Sequence, residues 1–248
     1  MKETYGAKRE ESMRMRFHTQ TAGVSLTAQQ PLLNIVRTTI EALAGVLGGT
    51  QSLHTNSYDE ALALPTESAV RIALRTQQII AHETGVADTI DLLGGSYFVE
   101  TLTDRLEAEA YDYFRRIDEL GGMVDAVKTG FPQREIADAS YELQGEIDAG
   151  RRIVVGVNRY TEGDDEQTPI LKIDHAAERK QVGRIKALRA ARDSEDVETA
   201  LSDIRAAAGS NRNLMPLLID AARVHVTEGE IVSALQEVWG GYRDTPVF

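Results

Sequence analysis

The chain contains no cysteine, which excludes disulfides and thiolate chemistry. It has no run of about 18 apolar residues, so no membrane span is expected. Its first residues, Met1 to Glu11, lack the apolar core of a secretory signal peptide, and a soluble cytoplasmic protein is the expectation. Basic residues are in the minority, 27 Lys and Arg against 39 Asp and Glu, for a net charge of -12. Such a surface repels phosphate backbones, so nucleic acid is not an expected partner. No internal repeat or low-complexity tract stands out. What is present is 248 residues, 42% of them hydrophobic, enough for one large domain or two small ones.

Hydrophobic periodicity divides the chain. Residues 1–13 read as the exposed end of a helix and 14–22 as a strand. From Gln29 to Leu47, apolar residues at Leu32, Ile35, Val36, Ile40, Leu43 and Val46 recur with a helical period. Pro31 suits that helix's first turn and Gly48-Gly49 stops it. Residues 50–55 read as a second strand, and Pro65-Thr66 opens a helix to about Glu83. The apolar stretch Val86–Leu93 reads as a third strand and leads to Gly94-Gly95-Ser96-Tyr97, with a helix from about Val99 to Leu120. This β–α–β–α–β–α rhythm implies parallel strands with crossover helices. Boundaries are expected near Gly121 and Asp174. Beyond Gly121 helices dominate, interrupted by Ile153-Val154-Val155-Gly156-Val157-Asn158 and the acidic loop 162–166. The last part reads as helices near 176–193, 196–208 and 214–239. A closed parallel barrel needs eight strands and some 200–250 residues, yet only about the first 120 residues alternate in this way. The fold class is therefore α/β, a partial (β/α)8 barrel over 1–120 followed by a mostly helical segment over 121–248, with strand edges left for another chain, or for the rest of a longer one, to cover.

Polar residues cluster where the first two strands end. Side chains alternate along a strand, so His18 and Gln20 share one side of the first strand, and His54 and Asn56 likewise share a side of the second. They line a common pocket, as groups at the carboxyl ends of parallel strands do, or they satisfy one another in a buried network. Asp59-Glu60 comes after the second strand. A carboxylate there can accept two hydroxyl hydrogen bonds, as ribose offers, or serve as a cap. His18, His54 and Glu60 are metal-ligand types, but their spacings match no metal motif. No serine sits on a nucleophile elbow, and no catalytic residue is assigned. Arg14, Arg16 and Arg37 either pair with phosphates of a nucleotide-bearing substrate or are surface charges. The run from Glu178 to Arg192 reads as a solvated helix face.

Several of these segments together resemble the adenosylcobalamin-dependent acyl-CoA mutases, the methylmalonyl-CoA mutase family. They are Arg16-Phe17-His18-Thr19-Gln20-Thr21-Ala22-Gly23-Val24-Ser25-Leu26-Thr27, Gly48-Gly49-Thr50-Gln51-Ser52-Leu53-His54-Thr55-Asn56, Asp59-Glu60-Ala61-Leu62-Ala63-Leu64-Pro65-Thr66, Gly94-Gly95-Ser96-Tyr97 and Ile153-Val154-Val155-Gly156-Val157-Asn158. The likeness runs over nearly the whole chain. It implies the last strands of a barrel that binds acyl-CoA through its centre, plus the helical segment after it. By this resemblance Asn56 and Glu60 match positions that approach the adenosyl ribose, and His18 and Gln20 match positions facing the cofactor and the active-site cavity.

The resemblance implies adenosylcobalamin as cofactor, an acyl-CoA substrate and a radical carbon-skeleton isomerisation. It also implies partners: the upstream barrel half, and a cobalamin-binding domain whose Asp-x-His-x-x-Gly motif supplies the lower cobalt ligand. Asp174-His175 lacks that spacing. The isolated chain is expected to be inactive and oligomeric or aggregation-prone. A split gene or a fragment is the expectation, since the family sequence continues upstream of Met1. A noncatalytic partner subunit and an inactive truncation are the alternatives. Val24 stands where methylmalonyl-specific members carry Trp and resembles isobutyryl- or 2-hydroxyisobutyryl-type enzymes. Leu33 replaces an Asn frequent in the family, and Leu92 replaces a Pro ahead of the Gly94-Gly95 turn.

Overall fold

The computed structural model describes residues 1–161, 163 and 168–243; most of the predicted acidic loop lies outside them. The chain is mostly helical with a small parallel sheet. It forms two compact units, Met1–Leu171 and a second beginning at Lys172. Among the described residues no helix is long and apolar enough to cross a membrane.

In the first unit, two single-turn helices, α1 (Lys2–Tyr5) and α2 (Glu10–Met13), stand where the sequence predicts one helix end. Gly6 breaks them apart in the left-handed conformation at φ 63°. The strand β1 (Thr19–Gln20) is followed by a 3-10 turn at Gly23–Ser25 and by α3 (Leu33–Leu47). Next come β2 (Leu53–His54) and α4 (Glu67–Glu83). The strands pair in parallel, Thr19 with Leu53 and Gln20 with His54, joined by the α3 crossover. They are shorter than the periodicity predicts because each holds its regular ladder only where the other lies alongside. Flanking residues are tied by side chains instead: Gln51 accepts from Phe17 N at 3.1 Å and donates to Met15 O at 3.2 Å.

The helices cover one face of this sheet. A Cβ placed on Gly45 of α3 would sit 3.4 Å from Thr19 Cγ2 and 3.8 Å from Leu53 Cδ1, so the missing side chain lets helix and strands touch. From α4, Gln77 Nε2 donates to Leu53 O at 3.2 Å, and Thr55 Oγ1 donates to Ala73 O at 2.7 Å. The opposite face carries His18, Gln20 and His54, all exposed.

The third strand does not form. Val86–Asp88 is a 3-10 turn, Asp91 is left-handed at φ 52°, and Gly94 N closes a turn on Asp91 O at 3.0 Å. An extended segment must satisfy its backbone groups on a neighbour, and no described strand lies beside this one. The helices α5 (Tyr97–Glu119), α6 (Met123–Lys128) and α7 (Phe131–Asp148) complete the unit. Along the 23 residues of α5 no side chain is buried.

The second unit contains α8 (His175–Ala191), α9 (Ser194–Ala208), α10 (Met215–Arg223) and α11 (Glu228–Trp239). The predicted helix over 214–239 is thus two. His225 adopts φ 64° between them. Thr227 and Glu230 then form a reciprocal capping box that starts α11. Val197, Leu201, Ile204, Ala221, Val226 and Ala234 form the core. No residue of α8 is buried, in keeping with its charged composition.

Candidate functional site

The sheet stops at Gln20 and His54, and both chains continue beyond it with polar residues. Thr21 is 4% exposed and Asn56 5% exposed, so their polar atoms require partners. They find them in each other. Thr21 Oγ1 donates to Asn56 Oδ1 at 2.7 Å and accepts from Asn56 N at 2.9 Å. Gln20 Nε2 also donates to Asn56 Oδ1, at 3.4 Å. Asn56 Nδ2 in turn donates to Glu60 Oε2 at 2.6 Å, and Ser57 N donates to Glu60 Oε1 at 2.6 Å. Each Glu60 oxygen thus receives one N–H. A carboxylate oxygen has two lone-pair sites, so each keeps accepting capacity for a further donor.

Gln20, Asn56 and Glu60 are therefore brought into one connected network. His18 stands beside it, just ahead of β1. Its Nδ1 is 2.8 Å from Ser52 Oγ, and its ring meets His54 edge-on at 6.5 Å between centroids. His18 and His54 thus form a second polar group on the uncovered sheet face, while Asn56 and Glu60 sit beyond the strand end. Among the described residues no cluster of three or more His, Asp or Glu suited to a metal ion is found.

Other residues singled out in the sequence have structural employment. Asp59 is completely buried, and its Oδ2 accepts from Thr66 N and Thr66 Oγ1, both at 2.9 Å. Thr66 in turn caps α4 by accepting from Ala69 N at 3.3 Å. Of the neighbouring carboxylates, Asp59 anchors the loop to the helix, and Glu60 faces the network. Arg37 is not a free cation for phosphate. Nη1 donates to Thr27 Oγ1 at 2.9 Å and Asn34 Oδ1 at 2.8 Å, and Nη2 donates to Val155 O at 2.6 Å. Arg14 pairs with Glu10 at 2.6 Å. Arg16 is exposed.

The segment Ile153–Asn158, which interrupts the helices, is a tight loop. Asn158 Oδ1 accepts from Val154 N at 2.8 Å, and its Nδ2 donates to Ile147 O and Arg152 O. Gly95 is left-handed at φ 77° and donates its N–H to Glu100 Oε1 at 2.9 Å, so the Gly94-Gly95 segment is the turn that starts α5. Val24 rides the 3-10 turn after β1 and is 93% exposed.

Thr21 and Ser57 are the members of the network that the sequence did not single out. Strand alternation would put Thr21 on the helix side with Thr19. Its backbone still belongs to the ladder, Thr21 N donating to His54 O at 3.1 Å, while its hydroxyl is taken up by Asn56.

Comparison with known proteins agrees with the motifs. A family model described as methylmalonyl-CoA mutase matches residues 1–241. The chain is 46% identical over 250 residues to the 2-hydroxyisobutanoyl-CoA mutase large subunit of Aquincola tertiaricarbonis, covering 100% of this chain and 44% of that protein. It is 48% identical over 240 residues to a probable mitochondrial methylmalonyl-CoA mutase of Caenorhabditis elegans, 96% of this chain and 32% of the relative. With the methylmalonyl-CoA mutase of Escherichia coli K12 it shares 46% identity over 239 residues, 96% and 34% of the respective lengths. The chain thus spans less than half the length of each of these relatives.

Proposed function

The chain belongs to the methylmalonyl-CoA mutase family, and on that premise we propose that it is part of the catalytic subunit of an adenosylcobalamin-dependent acyl-CoA mutase, a cytoplasmic isomerase. In this reading residues 1–120 are the last strands of a (β/α)8 barrel, and 121–248 the helical segment after it. The remaining barrel strands and the cobalamin-binding domain come from polypeptide outside these residues. The uncovered sheet face is then the barrel lumen, where acyl-CoA and the adenosyl group meet.

The observation that carries the proposal is the Gln20–Asn56–Glu60 network at the ends of two parallel strands. Its donor set fits an adenosyl ribose. The Glu60 carboxylate is held by Asn56 Nδ2 and Ser57 N, which leaves accepting positions for vicinal hydroxyls. Gln20 and His18 face the same open side and are exposed for contact with the cofactor. Bound adenosylcobalamin supplies an organic radical through cobalt–carbon homolysis. The residues of this chain orient the adenosyl group, and the closed barrel excludes water. A noncatalytic stabilising subunit would have no need of so connected a network.

The test is co-expression of this chain with the upstream half and the cobalamin-binding domain, followed by assay of adenosylcobalamin-dependent isomerisation. Methylmalonyl-CoA and 2-hydroxyisobutanoyl-CoA are the first substrates to try, given the relatives' names. Glu60→Ala should lower turnover on the order of 100-fold, the scale that misplaced reactants cost, and weaken cofactor binding. Unchanged turnover together with unchanged cofactor affinity would refute the assignment.

A further inference from the structure

The amide of Asn56 is fixed in one orientation from two sides. Its Oδ1 accepts from Thr21 Oγ1 at 2.7 Å and from Gln20 Nε2 at 3.4 Å, and its Nδ2 donates to Glu60 Oε2 at 2.6 Å. A flipped amide would set its NH2 against the Gln20 NH2 and its oxygen against a carboxylate, so both ends would lose. Of the contacts on the Oδ1 side, Thr21 supplies the shorter. The same hydroxyl accepts from Asn56 N at 2.9 Å, so it grips backbone and side chain of that residue together. It is also the more rigid, because a β-branched side chain is confined at χ1. The backbone next to it is anchored too, where Ala22 N donates to Glu41 Oε2 of α3 at 2.8 Å. Gly23 leaves room beside the amide: a Cβ there would lie 3.4 Å from Asn56 Nδ2.

We infer that Thr21 is a positioning residue for the cofactor site. Its hydroxyl holds the Asn56 amide with the NH2 toward Glu60, and thereby sets the direction in which the Glu60 carboxylate offers its remaining lone pairs. This rests on the reading of Glu60 as the ribose acceptor, and the chemical class recognised is a vicinal diol. Thr21 itself need not touch the cofactor.

The test compares two cobalamins on the assembled enzyme, because only one presents a ribose to Glu60. Binding of adenosylcobalamin and of methylcobalamin is titrated by absorbance for wild type, Thr21→Val, Thr21→Ser and Glu60→Gln. Thr21→Val keeps the volume and removes the hydroxyl. It should weaken adenosylcobalamin binding about tenfold, the scale of a lost buried hydrogen-bond partner, and leave methylcobalamin within about twofold. Thr21→Ser should restore most of the loss. Equal weakening of both cobalamins, unaltered binding of both, or a valine variant that does not assemble while the serine variant does, would overturn the inference and leave Thr21 no role in the site. Glu60→Gln separates the two levels. If it leaves adenosylcobalamin binding intact, the reading of the site has failed. If it weakens that binding and Thr21→Val does not, only the positioning role has.

Discussion

Replacing Glu230 with glutamine should destabilise the second unit at neutral pH and leave it nearly unaffected in strong acid. Glu230 receives Arg192 Nη1 at 2.7 Å and a second bond from Nη2, and Arg192 also donates to His225 O at 2.7 Å. Thr227 N and Thr227 Oγ1 donate to the same carboxylate at 2.8 and 2.7 Å. These contacts, the Arg192 pairing foremost, pull the Glu230 carboxyl from 4.5 down to about 2. At 1.36 kcal/mol per tenfold change, that displacement corresponds to roughly 3 kcal/mol. The Glu230 side chain is 24% exposed, so solvent screening lowers the expected contribution to about 2 kcal/mol.

A carboxylate with a depressed value contributes its full stabilisation above the unfolded pKa. The contribution fades as pH falls from about 4.5 through about 2. Glutamine at this position still completes the Thr-x-x-Glu/Gln capping box, so the variant removes the charge and spares the cap. The readout is urea unfolding at a series of pH values, monitored by fluorescence of Trp239. This is the chain's one tryptophan, and its Nε1 donates to Ala208 O across α11 and α9 at 2.9 Å. The difference between wild type and Glu230→Gln should be about 2 kcal/mol at pH 7 and shrink toward zero near pH 2. A difference that stays constant across that range, or none at pH 7, would refute the ion-pair reasoning.

Ile204 is fully buried in the same core. Ile204→Ala should cost about 3 kcal/mol, the range for a buried aliphatic truncation, by the same fluorescence measurement. Arg37→Met keeps much of the side chain's length and removes its donors to Thr27, Asn34 and Val155. It should raise the rate of proteolytic cleavage in the 153–160 loop several-fold by loosening it, with α3 itself intact by circular dichroism. An unchanged cleavage rate would show that other contacts hold that loop, such as Gln30 Nε2 to Tyr160 O at 3.2 Å.

Much of the helical layout is legible in the sequence because helices are local. The 3.6-residue periodicity and the Thr66 cap outline α4, and the stop at Gly48-Gly49 closes α3 where expected. The split of the final helix is also written locally, as Thr227 and Glu230 at capping-box spacing, but the apolar pattern across it masks the signal. Val86–Leu93 misleads for a different reason. Its apolar composition suits a buried strand, yet a strand exists only with a partner, and pairing is a property of the assembled sheet.

At the site, residue types and spacing were enough to bring His18, Gln20, Asn56 and Glu60 forward, and the motifs carried the family. Chemistry written in residue order depends only on neighbours within a few positions, and so do helices with their caps. Folding together was needed to join Asn56 to Glu60 and Gln20, to turn Asp59 inward as an anchor, and to recruit Thr21. Contacts between residues some 35 apart depend on where a parallel ladder ends. That end point is set by how strands, crossover helix and loop pack against one another, a relation that neither strand's own pattern contains.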